Sequence, residues 1–373
     1  MPKPAKNEKS VDYIFLTLLG ALLVIGLIML WSASTVESQQ TFNNSSYYFI
    51  HQLLYGIGIG VVAMYIASRI DYHVWKKFIP FALIGTLVAL ILVKVPGIGF
   101  SANGATRWIH LGPIIFQPSE AAKLAVVMYL SGWMSERDHH QGFWHSVFPP
   151  VLIVGLYSLL ILWQPDLGTM ISLTLTAAIT LFVGGIQLRY FAWLTGAGVV
   201  MLLGLIKLEP YRVQRITAFL NRSVDPLGIG YQINQALIGI GSGGWFGYGY
   251  GHSRQKYSYL PEAASDSIFA VMAEELGFIR IFLILALFVA FIVRGIQISL
   301  RAPDLFGKML VIGIMGTIAS SVVVNIAAIT GLLPLTGIPL PFFSYGSSAM
   351  IMTLAGCGIV LNISRHAKLV QKV

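Results

Sequence analysis

Residues 259–278 read YLPEAASDSIFAVMAEELGF and hold four carboxylates, Glu262, Asp266, Glu274 and Glu275, beside and inside an apolar stretch. Asp266 stands just before the run Ile268-Phe269-Ala270-Val271-Met272, where a capping aspartate is ordinary. Capping accounts for one carboxylate only. Glu274 and Glu275 lie further in, with Arg280 five positions beyond Glu275 as a candidate partner. Carboxylates in an apolar segment point to a water-filled polar cavity at a membrane face; a purely structural cluster is the alternative. In such a cavity a carboxylate suits a general base that takes a proton from a hydroxyl, while nearby cations hold a phosphate leaving group. Ion or solute transport uses the same residue types.

Two other places carry expensive polar residues. QPSEAAKLAVV sets Glu120 and Lys123 three positions apart, on one helix face where they can pair. That pair either lines a cavity or locks helix packing by neutralising itself. QPDLGT puts Asp166 at the start of the sixth apolar run, as an N-cap or as a cavity group. His139, His140 and His145, with Glu136 and Asp138, lack the Cys spacing of a zinc site and read as a solvated loop. Cys357, the single cysteine, reads as a small buried apolar residue and excludes a disulfide within the chain.

These residues need a frame that holds charge in an apolar setting. The chain has 373 residues, 56% hydrophobic and 10% charged, with mean hydropathy +0.76; a soluble domain carries roughly 25% charged residues. The composition predicts an all-α integral membrane protein. Apolar runs near the roughly 20 residues that cross a bilayer fall at about 13–31, 49–67, 78–96, 119–135, 146–163, 168–185, 189–208, 275–298, 307–329 and 346–363. They predict about ten transmembrane helices in one membrane domain, residues 1–373, with no repeat and no soluble domain. The first run follows MPKPAKNEK and continues into Trp31-Ser32-Ala33-Ser34 without a small-residue cleavage site, so it reads as a retained helix.

Orientation follows from Lys and Arg in the short connections. Lys3, Lys6, Lys9, Arg69, Lys76, Lys77, Arg137, Arg189, Arg294, Arg301, Lys308, Arg365, Lys368 and Lys372 fall in the tails and even-numbered connections. Of the odd-numbered short ones, only 97–118 holds a cation, Arg107. Both tails, 1–12 and 364–373, are therefore expected on the cytoplasmic side. The net charge of +9 is then a topology signal with some attraction to anionic membrane lipid, and nucleic-acid binding does not follow from it. Residues 209–265, between the seventh and eighth runs, form a large extracytoplasmic loop carrying Arg212, Arg215, Arg222, Arg254 and Lys256. Within it, Tyr231 to Ile240 reads as a short amphipathic helix at the membrane surface, followed by a flexible glycine run. Trp31, Tyr47, Tyr48, Trp108 and Trp245 fall near outer membrane edges, where aromatic rings settle.

Several stretches occur together in order: WSAS (31–34), NGATRWIHLG (103–112), QPSEAAKL (117–124), QPDLGT (164–169), GYQINQALIGIGSGGWFGYGYGHSRQKYSYLPEA (230–263), FAVMAEELGF (269–278) and GIPLPFFSYGSSAM (337–350). Across most of its length the chain resembles the SEDS family of shape, elongation, division and sporulation proteins, and its GHSRQKYSYLPEA and AEELGF segments are more similar to the division and sporulation branch, that of FtsW. The resemblance implies a peptidoglycan glycosyltransferase that polymerises lipid II at the outer face of the bacterial cytoplasmic membrane. It implies Asp266 as the base that deprotonates the acceptor 4-hydroxyl, with polyprenyl diphosphate leaving and a β-1,4 link formed by inversion. It implies Glu120 and Lys123 as a polar cavity pair, Ser344 as a substrate contact in the family's SYGGSS-like motif, and Arg107, Arg212, Arg215 and Lys256 as candidate diphosphate contacts. A divalent cation, Mg or Mn, could assist, with no organic cofactor. The implied partners are a class B penicillin-binding protein, a transpeptidase, and other division-complex proteins. Ala264-Ser265 stands where the family has His-Thr, Ser267 where it has Phe, and Ser347 where it has Gly. A lipid-linked precursor transporter and a catalytically weak division scaffold are the competing readings.

Overall fold

The computed structural model describes residues 10–102, 105–112, 114–136, 147–208, 228–257 and 259–366, together with Trp144, Val213, Arg215, Thr217, Phe219 and Leu220. Each of the ten apolar runs supplies a helix. These are α1 (Tyr13–Phe42), α2 (Tyr47–Arg69), α3 (Tyr72–Leu92), α4 (Pro118–Glu136), α5 (Phe148–Trp163), α6 (Leu167–Val183) and α7 (Leu188–Leu208). After α8 (Ile229–Ser242) come α9 (Ile268–Leu300), α10 (Leu305–Ile329) and α11 (Ser347–His366). Six of them, α1, α2, α3, α9, α10 and α11, are long and apolar enough to cross a membrane, and α5 and α6 are shorter apolar helices. The chain is a multi-pass membrane protein.

Apolar residues all round a helix mark it as buried or lipid-facing, and burial separates the two. In α10, 78% of the apolar window is buried inside the protein, against 6% in α3. Helix α10 is therefore the central pillar, packed by α4, α6, α9 and α11. Its flanks carry small residues, and a side chain at Gly313 would meet Val127 of α4 at 2.5 Å. Close approach through small residues is how helices associate where lipid removes the hydrophobic drive.

The connection before α4 departs from the all-helical expectation. Three strands, β1 (Gly99–Ala102), β2 (Ala105–Leu111) and β3 (Ile114–Phe116), form an antiparallel sheet in the order β1-β2-β3. Closed hydrogen bonding among three short strands satisfies backbone that a bare loop would leave unpaired. It also gives Arg107, in β2, a fixed base.

Within 209–265 the expected surface helix is present as α8, but its apolar side packs on α9, with Ile233 and Ala236 fully buried. The glycines that follow are not a flexible run. Helix α9 breaks at Gly277, which takes φ +74° and ψ 175°, a backbone open in practice only to glycine. The break frees two carbonyls above it and two amides below it, which an apolar setting penalises. Residues 244–249 satisfy all four: Tyr248 and Gly249 amides donate to the Glu274 and Glu275 carbonyls at 3.0 Å, while Phe278 and Ile279 amides donate to Gly244 and Trp245 carbonyls at 2.8 and 3.2 Å. That interlock requires backbone against backbone. A Cβ on Gly277 would lie 2.3 Å from the Gly247 nitrogen, and one on Gly247 2.2 Å from the Glu275 carbonyl oxygen.

Gly277→Ala should accordingly cost at least about 2 kcal/mol from backbone strain alone, with the clash added, and lower the melting temperature of the detergent-solubilised protein. Gly241→Ala, in open space, should leave melting nearly unchanged.

Candidate active site

The segment before α9 is a tight turn. Glu262 adopts φ +53°, and its carbonyl accepts the Ser265 and Ser267 amides at 3.2 and 3.0 Å. Its carboxylate takes the Ser265 hydroxyl at 2.6 Å. Asp266 is thereby set two residues ahead of the helix, lining a pocket whose walls include Arg215, Gln232, Asn325, Thr336, Gly337 and Ile338.

The other wall is the strap between α10 and α11. Tyr345 donates its amide to the Ala264 carbonyl at 2.9 Å, and the Ser344 hydroxyl donates to the Ser265 carbonyl at 2.6 Å while accepting the Leu340 amide at 2.8 Å. From α10, the Asn325 amide donates to the carbonyls of Asp266 and Ile338 at 2.9 and 2.7 Å. Gly337 has φ +73°, and a Cβ there would come within 3.3 Å of an Asp266 carboxylate oxygen. The strap is thus glycine at the point where it faces the acid.

Burial pushes the Asp266 carboxyl up to about 7, and the neighbouring Glu262 adds to the rise. The positive charge of Arg215 opposes it, followed by a further rise from Asp166 and a fall from Arg107. Asp266 keeps some accessible surface because the pocket reaches it. Its carboxyl group is nonetheless surrounded by protein, so desolvation leads. Arg215 donates to the Leu335 carbonyl at 2.7 Å. Arg107 donates to the carbonyls of Gln164 and Pro165 and stands 3.7 Å from Asp166. Asp166 caps α6, accepting the Thr169 amide at 3.1 Å and its hydroxyl at 2.8 Å. Both the capping and the site readings of Asp166 therefore have a physical basis, and Arg107 braces this turn as it biases the pocket.

Glu120 and Lys123 pair at 2.9 Å with 5% and 7% of their side chains exposed. With Thr317, Ser321, Ser344 and Thr353 they are the polar side chains lining a second, largely apolar cavity. Pro339 to Phe342 of the strap wall this cavity, and Leu335 to Ile338 wall the Asp266 pocket. One strap therefore divides the two.

The family model described as "Cell cycle protein", that of FtsW, RodA and SpoVE, matches residues 13–369. The chain belongs to this family. It is 44% identical over 363 residues to "Stage V sporulation protein E" of Bacillus subtilis, covering 97% of this chain and 99% of that one. It is 41% identical over 367 residues to "Probable peptidoglycan glycosyltransferase FtsW" of Geobacter sp., covering 97% and 99%. Among solved structures it is similar to a chain described under "Structural coordination of polymerization and crosslinking by a peptidoglycan synthase complex", at TM-score 0.80, 27% identity and coverage of 95% and 98%. It is also similar to the rod shape determining protein RodA of Thermus thermophilus, at TM-score 0.71, 27% identity and coverage of 96% and 98%.

The departures from the FtsW/RodA/SpoVE motifs have local roles. Ala264 is buried at 3% exposure, where its methyl fills space beneath the turn. Ser265 holds Glu262. Ser267 is fully buried and accepts from Gln232 of α8 at 3.0 Å, tying α8 to the Asp266 turn. Ser347 starts α11 in helical backbone, so nothing at that position demands glycine.

Three expectations are corrected. Lys256 does not reach the Asp266 pocket; its ammonium is buried and bonded to Glu275 at 3.0 Å, to the Ser32 hydroxyl at 3.0 Å and to the Gly251 carbonyl at 2.7 Å. Glu274 and Glu275 do not line a watery cavity. Glu274 accepts from the Ser253 hydroxyl and the Arg254 and Gln255 amides, and Glu275 from Ser32 and the Ser253 amide. Arg280 bonds the Phe246 and Leu276 carbonyls instead of Glu275. A buried carboxylate must be paired, and the loop that crosses the α9 break brings Lys256 closer than any residue of the helix itself. Arg212, His139, His140 and His145 lie outside the described residues. Among the described residues no group of three or more His, Cys, Asp or Glu is arranged to hold a metal. Cys357 is fully buried.

Sequence reasoning passed over Asn325, Gln232 and Thr336. Asn325 was detectable as a lone amide in the apolar run SSVVVNIAAI, since polar groups at membrane depth are costly. The buried-pair assignment of Lys256 predicts that Lys256→Met costs about 3–5 kcal/mol by stranding Glu275, read as a fall in melting temperature. The double variant Lys256→Met/Glu275→Leu should recover much of it.

Proposed function

We propose that the chain is a peptidoglycan glycosyltransferase of septal wall synthesis that joins lipid II units into β-1,4 glycan strands and releases polyprenyl diphosphate. The observation that carries this reading is Asp266. It is a carboxyl held half-protonated near neutrality at the head of α9, in a pocket with Arg215 in its wall.

A base whose affinity for protons matches the working pH is the most effective one. The acceptor's 4-hydroxyl gives its proton to Asp266 as its oxygen attacks the donor's anomeric carbon. The bond from that carbon to the diphosphate oxygen breaks, and the electron pair leaves on the diphosphate. Arg215, with Arg107 behind it, supplies the positive potential that favours the departing charge. No step is assigned to a divalent cation; one arriving with the diphosphate would neutralise it there. The larger cavity, apolar apart from the Glu120–Lys123 pair, Ser344 and their polar neighbours, suits part of an amphiphilic lipid-linked sugar. Arg212 stays a candidate diphosphate contact, while Lys256 is committed to Glu275. Lysines and arginines on the tails and even-numbered connections support a bacterial cytoplasmic membrane topology with both ends inside and Asp266 on the outer face. The likeness to a chain of a peptidoglycan synthase complex supports a partner of the class B penicillin-binding type.

Polymerisation of labelled lipid II by the purified protein, with its cognate transpeptidase present, tests the reading. Wild type should give polymer and Asp266→Asn none, by gel. Polymer from both would place the base elsewhere; none from either well-folded protein would favour the transport or scaffold reading. The pH dependence has a definite sign. Asp266 acts ionised, so kcat/KM should fall about tenfold per unit below pH 7 and level off above it. The folded carboxyl keeps its proton to about 7 against an ordinary 3.8, so ionisation across that window costs folding stability. Asp266→Asn should therefore melt above wild type at pH 8.

A further inference from the structure

Asn325 stands one helix away from the reaction and touches no reacting atom in the scheme above. Its side chain is 2% exposed, near the outer end of the central pillar α10. The amide nitrogen donates to two carbonyls, that of Asp266 at 2.9 Å and that of Ile338 at 2.7 Å. This pattern sets the amide's orientation, because a flipped group would turn its oxygen on two acceptors. The same orientation leaves the Asn325 carbonyl oxygen buried with no partner. A buried orphan acceptor is destabilising; a leucine at this place in an apolar helix would avoid it. What the asparagine provides and an apolar residue cannot is the double donation.

The two carbonyls belong to the two walls of one pocket. One is the backbone of the acid itself. The other is in the strap, one residue beyond Gly337, whose α-carbon faces the carboxylate so closely that a Cβ would lie 3.3 Å from it. We infer that Asn325 is a positioning residue for the base, pinning the Asp266 backbone and the Gly337–Ile338 strap to α10 so that the carboxyl stands in a closed, desolvated slot. The inference rests on the proposed role of Asp266. The charged groups that bear on that carboxyl come from its own turn (Glu262), from the loop after α7 (Arg215), from the α6 cap (Asp166) and from β2 (Arg107). Helix α10 contributes an uncharged clamp. Loss of the clamp lets the strap part from the acid and admits water, which favours the ionised form.

The test uses the full-length protein and Asn325→Leu, which keeps the volume and removes both donors. Two readouts are taken. The first is the titration of the Asp266 carboxyl by infrared difference against Asp266→Asn, which needs no substrate. The expected result is a midpoint about one unit or more lower in Asn325→Leu than in wild type. The second is lipid II polymerisation with the transpeptidase present, where kcat should fall roughly 10- to 100-fold with KM within about twofold. If Asn325→Leu is too unstable to purify, Asn325→Ser, which keeps one shorter donor, should show the same direction with a smaller shift. An unmoved carboxyl midpoint, with activity falling only as the folded fraction falls, would overturn the inference and leave Asn325 a packing residue. Absence of polymer from wild type would sink the proposed function, and the infrared titration would still decide the role of Asn325.

Discussion

Backbone that leaves regular structure at membrane depth has no water to turn to, and each freed amide or carbonyl must find a partner in the protein. The site of this protein is assembled almost wholly from irregular backbone, which burial among its own segments holds to the same rule. The break in α9 at Gly277 is closed by residues 244–249. The turn at 262–267 is closed by its own Glu262 carbonyl, by the Tyr345 amide and by the Ser344 hydroxyl. The strap is closed by Asn325 from the central helix. Each closure joins two segments distant in sequence, so satisfying the backbone also fixes the relative place of Asp266, the strap and the outer loop.

Charge follows the same economy with opposite results in two neighbouring places. Glu274 and Glu275 are buried and fully supplied with donors, from Ser32, Ser253, the 253–255 amides and Lys256. They hold the loop against α9. Asp266, eight residues earlier, has no ion pair of its own among the described residues. Burial and Glu262 raise its proton affinity, and Arg215 and Arg107 restrain the rise. Two carboxylates serve architecture and the third is left without an ion pair, and the difference lies in what each fold neighbour can donate.

The strap shows how the two cavities are related. Pro339 to Phe342 face the Glu120–Lys123 cavity while Leu335 to Ile338 face Asp266. A lipid-linked sugar has an apolar chain and a charged, hydroxyl-rich head. An apolar cavity with one ion pair, set beside a polar pocket with a base and arginines, matches that division of chemistry.

Much of this was legible from residue order. Hydropathy placed the ten helical segments, because a run apolar over nearly its whole length favours a helix that satisfies its own backbone. Spacing paired Glu120 with Lys123, since a local i,i+3 contact depends only on helix geometry. The motif order identified the family and pointed to Asp266. The sheet of β1, β2 and β3, the partner of Glu275 and the clamp at Asn325 were not legible. The sheet is built of short strands whose pairing is decided by what they cover, and Lys256, Ser32 and Glu275 meet only after α1, the outer loop and α9 have packed. The glycines after α8 look the same in sequence whether they permit motion or close approach; only the Gly247–Gly277 contact distinguishes the two. Local periodicity and composition thus determined which segments are apolar helices, and the family's motif order which acid to watch. Tertiary packing decided which carboxylates are neutralised and which one is left to titrate, because desolvation and pairing depend on neighbours that no sequence spacing specifies.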